Sequence, residues 1–174
     1  MHLQLIVTQS MREIGMDTLS KTDRSKLMAR IRSTNTTPER GLRTILRRMG
    51  IRHRAYAKHL PGTPDVVVAK SRVVIFVHGC FWHQHKGCAA CRTPKTRKAF
   101  WREKFQGNIR RDRRAARMLR QLGWSVLTVW ECQPKKPQRV QARLEKVMAA
   151  KGDQKNRIDK LEEKPRQSRI NQAD

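Results

Sequence analysis

Acidic residues are scarce in this chain, and their scarcity is the first informative feature of the sequence. Only 14 Asp and Glu stand against 40 Lys and Arg among 174 residues, which gives a formal net charge of +26 at neutral pH. So one-sided a charge predicts an acidic polymer as the partner. The length suits one domain, with enough chain to bury a hydrophobic core.

Long hydrophobic runs are missing as well. No apolar stretch approaches the roughly 20 residues that a membrane-spanning helix needs, so we expect no membrane partner. Residues 1–15 have a short apolar patch but lack the basic lead-in and long apolar core of a signal peptide. We therefore expect a cytoplasmic protein, in which the four Cys bind metal rather than form disulfides.

The positive charge is concentrated in the first 150 residues. Residues 1–150 carry 33 basic and nine acidic residues, whereas residues 151–174 carry seven and five. The field therefore belongs to the folded body, in which each acid stands out, Asp65 and Asp112 among them. We predict a flexible leader over 1–15, one folded domain over 16–150, and a disordered charged tail over 151–174.

The apolar pattern predicts an α/β fold, with one mixed sheet flanked by helices. The two Val-rich strands are separated by residues 70–72, a connection of hairpin size. The predicted order is a helix after Thr22, a helix from a Thr37 cap to Gly50, strands over 51–57, 65–69 and 73–77, a loop over 78–96, a helix over 100–122 that is broken or bent at Gly107, a strand over 124–130, and a helix over 137–150.

Cysteine and histidine cluster in the loop that follows the second Val-rich strand. Residues 78–91 hold three of the four Cys and three of the six His. Structural zinc takes four Cys or His ligands in a tetrahedron. The loop can supply three ligands and Cys132, at the end of the last strand, the fourth. Ordinary burial of Cys is the alternative, but the density of the cluster favours a structural zinc that fixes the loop to the sheet.

A second group of polar residues lies at the ends of the predicted hairpin. Asp65 opens one strand and His78 ends the next, so antiparallel pairing brings them together, with His83 a few residues further on. A carboxylate and two imidazoles at one sheet edge can hold Mg²⁺ and orient water for phosphodiester hydrolysis. The alternative for Asp65 is a turn cap after Pro64.

Aromatic residues make up only 5% of the chain, yet several flank the metal loop. Phe81, Trp82 and Trp101 can form a wedge that enters between base pairs. The predicted helix that follows carries exposed basic residues suited to phosphate contacts. These residues are Arg110, Arg111, Arg113 and Arg114.

Several segments together resemble the very short patch repair (Vsr) DNA mismatch endonucleases. These segments are LPGTPDVVV, VVIFVHGCFWHQH, TPKTRKAFW, NIRRDRR and LGWSVLTVWEC. The resemblance covers about Thr18 to Ala150. It implies a fold similar to type II restriction endonucleases and an enzyme that nicks one strand of duplex DNA 5′ to the thymine of a T:G mismatch, made by deamination of 5-methylcytosine.

The resemblance also implies roles for individual residues. Asp65 and the carbonyl of Val77 would face Mg²⁺, and His78 and His83 would be catalytic, with His83 the general base. Glu39 matches a glutamate near the family's active site. The zinc ligands would be Cys80, His85, Cys88 and Cys132, with Cys91 as a competitor of Cys88.

The implied partner is double-stranded DNA with a T:G mismatch, bound by a monomer in the prokaryotic nucleoid. Mismatch-repair proteins are further candidate partners. Two alternatives stay open at this point. One is a zinc-containing DNA-binding module without catalysis. The other is a restriction-type nuclease that acts on matched DNA or another lesion.

Overall fold

The chain forms a mixed α/β fold with four strands, seen in a computed structural model. The model describes residues 34–162 together with Ser20, Thr22, Asp23 and Lys26. In the region from residue 34 onward the elements are helices α1 (Thr37–Arg48), α2 (Lys98–Gln121) and α3 (Pro137–Glu162), strands β1 (Arg54–Ala55), β2 (Val66–Val68), β3 (Val73–His78) and β4 (Ser125–Trp130), and a short 3₁₀ helix (Gln133–Lys135).

The strands lie in the order β1-β2-β3-β4 within one sheet of the described region. β1 pairs antiparallel with β2, β2 antiparallel with β3, and β3 parallel with β4. The prediction of a mixed sheet with a β2–β3 hairpin is therefore confirmed. In the parallel register His78 lies opposite Trp130, so both strands end at the same edge of the sheet.

Helices cover both faces of the sheet, as the uninterrupted Val runs predict. Alternate residues of β2 and β3 point to opposite faces. One face packs against α1 and α3 in a cluster that includes Leu46, Val66, Ile75 and Leu144. The other face packs around Leu119 of α2. The core therefore holds the ends of β2 and β3 rigidly from both sides.

The turn before β2 is fixed by close packing on α2. Gly62 has a left-handed φ of +74°, and a Cβ built there would lie 2.5 Å from the Cβ of Ala115. Only glycine combines this conformation with such a close approach. The turn therefore delivers Asp65 to a defined position at the start of β2.

Several predicted boundaries were wrong. β1 has two residues in place of seven, because Tyr56 adopts a left-handed φ of 53° and interrupts the extended backbone. α2 continues without a break past Gly107, since one glycine costs a helix only about 1 kcal/mol. The cap of α1 is Thr36, one residue before the predicted Thr37.

The last helix also differs from the prediction. α3 continues to Glu162, twelve residues past the predicted end at 150, because Lys, Arg, Gln and Glu favour helix without an apolar stripe. The end of the helix was therefore misplaced, whereas a disordered tail over 151–174 stays a prediction. Residues 163–174, the leader over 1–15, and most of the helix predicted after Thr22 lie outside the described residues.

Candidate functional site

The hairpin joins Asp65 to the end of β3. The backbone N–H of Val77 donates a hydrogen bond to Asp65 Oδ2 at 2.7 Å. Asp65 comes directly before β2, and Val77 directly before His78 at the end of β3. The sequence argument from adjacent strand ends thus predicts the placement of Asp65 correctly.

Asp65 lies in an environment that disfavours its negative charge. The pKa of its carboxyl is raised to about 6, mainly by burial and partly by the nearby charge of Glu39, while the Val77 N–H and His83 act in the opposite direction. A carboxylate that burial makes costly to ionise is stabilised by a bound cation. The electrostatic environment of the Asp65 carboxylate is therefore the one expected of a cation ligand.

Glu39 is a second carboxylate near Asp65. It lies in the first turn of α1, and only 3% of it is exposed. Its two oxygens accept separate hydrogen bonds, Oε1 from the Thr36 hydroxyl at 2.7 Å and Oε2 from the Tyr56 hydroxyl at 2.6 Å. These donors hold the buried carboxylate in one orientation.

The two histidines stack against each other, beside an acid that the sequence analysis did not assign to the site. The ring centroids of His78 and His83 are 4.0 Å apart with planes 10° from parallel. Asp112, on α2, lies 2.5 Å from Nδ1 of His83 through Oδ2 and 3.9 Å from Nε2 of His78 through Oδ1. The polar atoms of the three side chains lie within 4.8 Å of one another.

The contact with Asp112 determines which ring nitrogen of His83 carries the hydrogen. Because Asp112 accepts a hydrogen bond at Nδ1 of His83, Nε2 of that ring is left to accept a proton. Burial, together with the neighbouring His83, lowers the pKa of His78 to about 4, although Asp112 partly offsets this. His78 is therefore neutral at physiological pH.

The Cys/His cluster converges as four metal ligands. The ligand atoms of Cys80, His85, Cys88 and Cys132 all lie within 4.8 Å of one another. The sulfurs of Cys80 and Cys132 are 3.3 Å and 3.5 Å from Nδ1 of His85, close to the roughly 3.6 Å between S and N ligands of one tetrahedral zinc. Cys91 lies outside this group. The donor set therefore fits zinc, and the structure brings together the four ligands chosen from the sequence.

Local turns form this cluster within a short stretch of chain. The N–H of His85 donates to the Cys80 carbonyl at 3.0 Å, and the N–H of Cys88 donates to the His85 carbonyl at 3.2 Å. Cys80 is fully buried, and this burial raises the pKa of its thiol. Thiolates in such a place would need a nearby cation, and a bound metal could supply it.

Trp130 lies between the cluster and the histidine pair. Its ring stacks on His85 with centroids 4.2 Å apart and planes 5° from parallel. It also meets His78 edge-on, at a centroid distance of 5.6 Å. The end of β4 thus connects the candidate zinc ligands to the candidate catalytic residues.

The three aromatic residues predicted to form a wedge lie together, but they differ in exposure. Phe81 contacts both Trp82 and Trp101 edge-on, with centroids 5.0 Å and 5.5 Å apart. Trp101 is only 8% exposed and packs on Phe105. Phe81 and Trp82 are half-buried, so they form the accessible part of the cluster, and Trp101 supports them.

α2 contacts the aromatic cluster and also carries four exposed arginines, which form the basic face of the protein. Asn108, which is 6% exposed, donates from its side chain to the Trp82 carbonyl at 2.8 Å and accepts from Arg111. The four arginines predicted to contact phosphate are all exposed on this helix: Arg110, Arg111, Arg113 and Arg114. The same helix therefore carries the basic face and Asp112.

Asp112 and Tyr56 are the site residues that sequence reasoning missed. Asp112 stands among four arginines, and its one signal was that an acid interrupts a basic run. Tyr56 gave no signal, because its contact with Glu39 joins residues 17 positions apart in elements of different type.

No helix in the part of the chain that the structure describes is both long and apolar enough to cross a membrane.

Comparisons with known proteins give consistent matches. Residues 16–90 match the family model described as DNA mismatch endonuclease Vsr. The chain is 43% identical over 132 residues to the type II nicking enzyme V.XorIIP of Xanthomonas oryzae pv. oryzae, covering 76% of this chain and 96% of that protein. It is 47% identical over 116 residues to the DNA mismatch endonuclease Vsr of Escherichia coli, covering 67% of this chain and 74% of that protein. Among solved structures, the catalytic domain of homing endonuclease I-Bth0305I aligns with a TM-score of 0.46 and 20% identity, over 67% of this chain and 98% of that one.

Proposed function

The chain belongs to the Vsr family of DNA mismatch endonucleases, and from this premise we propose that it is a strand-specific, Mg²⁺-dependent nicking enzyme. It cuts duplex DNA 5′ to the thymine of a T:G mismatch, the product of 5-methylcytosine deamination, and so starts very short patch repair. We further propose that its fold is of the restriction-endonuclease type, with a structural zinc.

The observation that carries the proposal is that Asp65 is hydrogen-bonded to the backbone directly before His78, whose ring stacks on His83. Asp65 is fixed through the Val77 N–H, and His83 is fixed through Asp112. Phosphodiester hydrolysis requires a group that takes a proton from water and groups that stabilise charge on the phosphate. His83 would take the proton, and Asp65 would hold the cation that stabilises the charge on the phosphate.

The donor set at Asp65 fits Mg²⁺, which prefers carboxylate and carbonyl oxygens. Asp65 and the Val77 carbonyl would hold the ion, with Glu39 close by. When bound, Mg²⁺ supplies neutralisation of the phosphate charge. Asp65 keeps its carboxylate in place through its bond to Val77, which also fixes the backbone at the end of β3.

His83 is proposed as the general base. Its Nε2 accepts a proton from the attacking water, while Asp112, 2.5 Å from Nδ1, stabilises the imidazolium that forms. His78 remains neutral because its pKa is lowered to about 4, so its ring can donate a hydrogen bond to the phosphate without carrying charge.

Binding of duplex DNA is proposed to use the basic face and the aromatic cluster. The exposed arginines of α2 contact phosphates, which gives salt-sensitive affinity. Phe81 and Trp82 insert at the mismatch and kink the duplex, supported by Trp101. The proposed enzyme acts as a monomer on nucleoid DNA in the cytoplasm of a prokaryote, and mismatch-repair proteins are candidate partners.

A strand-resolved nicking assay tests this function. The substrate is a duplex with one T:G pair, labelled on one strand or the other, and the control is the same duplex with T:A. We expect Mg²⁺-dependent cleavage of the T-containing strand at the mismatch alone. Cleavage of the T:A duplex at the same rate would favour a restriction-type nuclease, and tight binding with no cleavage would favour a DNA-binding module.

Removal of the proposed base should slow the chemical step. We expect His83→Ala to lower single-turnover nicking by about 10²–10⁴-fold and Asp112→Asn to lower it by at least about tenfold. Both variants should keep their DNA affinity, because the proposed phosphate contacts come from the exposed arginines of α2.

The matched control for these variants is Glu103→Gln, which removes an exposed acid from the same helix and should nick at the wild-type rate. An Asp112→Asn protein as fast as this control would show that Asp112 does not assist His83.

A further inference from the structure

Tyr56, the single tyrosine of the chain, contacts both carboxylate residues near the end of β3. Its hydroxyl donates to Glu39 Oε2 at 2.6 Å. Its backbone N–H donates to the Asp65 carbonyl at 3.3 Å. Glu39 belongs to α1 and Asp65 precedes β2, so one residue connects the two elements that carry these carboxylates.

The hydroxyl of Tyr56 has a fixed direction. It accepts the backbone N–H of Asn35 at 2.5 Å and a side-chain N–H of Arg43 at 3.3 Å. A phenol has one hydrogen and two acceptor positions. Because both acceptor positions are filled, the hydrogen points to Glu39.

The backbone at Tyr56 also points to a positioning role. Its φ of 53° is left-handed, which is uncommon for a residue with a large side chain. Strained residues of this kind concentrate at functional sites, where the surrounding structure maintains them. Here the conformation ends β1 and places the ring 5.8 Å from the Arg43 guanidinium.

From these contacts we propose that Tyr56 is a positioning residue that holds the Glu39 carboxylate beside Asp65. The affinity of this pair of carboxylates for a divalent cation then depends on the Tyr56 hydroxyl. The inference rests on the proposed Mg²⁺ site and adds to it the residue that controls how tightly the ion binds.

Replacing Tyr56 with Phe removes the hydroxyl and leaves the ring. We expect Mn²⁺, used as a probe and detected by the electron paramagnetic resonance signal of the free ion, to bind about tenfold more weakly without DNA. The Mg²⁺ concentration for half-maximal nicking should rise by the same factor. The nicking rate at saturating Mg²⁺ should stay within about twofold of wild type.

Thr44→Val is the matched control, because it deletes a hydroxyl on α1 that bonds only Arg40 and Arg47 in the described contacts. Its Mn²⁺ affinity should equal that of wild type. Equal affinity in Tyr56→Phe would overturn the proposal. So would a Tyr56→Phe protein that loses its fold by circular dichroism, since Tyr56 would then be a structural residue.

A double-mutant cycle tests whether Tyr56 acts through Glu39. In a Glu39→Gln background, Tyr56→Phe should cause little further loss of Mn²⁺ affinity. A full additional loss would overturn the proposal. The Mn²⁺ measurement uses no DNA, so it decides this inference even if the wild-type protein fails to nick a T:G duplex.

Discussion

Asp65→Asn should yield a protein that is more stable than wild type and that no longer nicks DNA. Activity should fall by about 10³-fold or more, because the variant loses the carboxylate proposed to hold Mg²⁺. The Asn side-chain oxygen can still accept the Val77 N–H, so the local fold should remain. Stability and activity therefore change in opposite directions at one residue.

The gain in stability follows from the raised pKa of Asp65. Burial raises this pKa from 3.8 to about 6, so the folded protein keeps the proton at pH values at which the unfolded chain has lost it. Its contribution therefore becomes unfavourable as the pH rises from about 4 to 6. Above pH 6 the cost is at most about 3 kcal/mol, and an uncharged Asn avoids it.

Denaturant unfolding in Mg²⁺-free buffer at pH 4 and pH 7 measures this effect. We expect Asp65→Asn to exceed wild type at pH 7 and to approach it at pH 4. Glu145→Gln, which neutralises an exposed acid on α3, is the control and should match wild type at both pH values. A less stable Asp65→Asn protein at pH 7 would mean that the charged carboxylate supports the fold.

Cys88→Ser should lose zinc and much of its stability, whereas Cys91→Ser should retain both. Cys88 lies with Cys80, His85 and Cys132 in the ligand group, and Cys91 does not. Zinc content by atomic emission should fall from about one per chain to near zero in Cys88→Ser. The free energy of unfolding should fall by about 4 kcal/mol or more, as expected for the loss of a structural metal.

The two cysteines form a matched pair, since they are three residues apart and joined by a turn hydrogen bond from the Cys91 N–H to the Cys88 carbonyl at 2.9 Å. A Cys88→Ser protein that keeps its zinc, together with a Cys88→Ser/Cys91→Ser protein that loses it, would show that Cys91 can replace Cys88. That result would contradict the assignment of Cys88 as the ligand.

The parts of the fold that depend on local pattern could be predicted from the sequence. The Val runs predict β2 and β3 because strands covered on both faces need continuous apolar residues. Helix ends were harder to predict, since a charged segment such as 151–162 can be helical without an apolar stripe in its sequence. The length of β1 depends on the backbone at Tyr56, which composition does not reveal.

The candidate site was predictable where it follows from pairing between neighbouring strands. Asp65 and His78 lie at ends that a hairpin must bring together, and the density of Cys and His in one loop predicts a metal cluster. The choice of Cys88 over Cys91 came from the resemblance to the Vsr family. The position of Asp112 depends on how α2 packs across the sheet, and no local pattern encodes that packing. Trp101 was assigned to the wedge because it flanks the Cys/His loop in the sequence, but the structure buries it.

The contacts of Trp130 with both His85 and His78 couple the candidate zinc loop to the candidate catalytic residues. Replacement of His85 would remove the stacking partner of Trp130. Because Trp130 also contacts His78, the same replacement would disturb His78. Loss of the proposed metal would therefore also disturb the proposed catalytic residues. We expect insertions to be tolerated in residues 92–97, which belong to neither group, and to be harmful between His78 and Cys88.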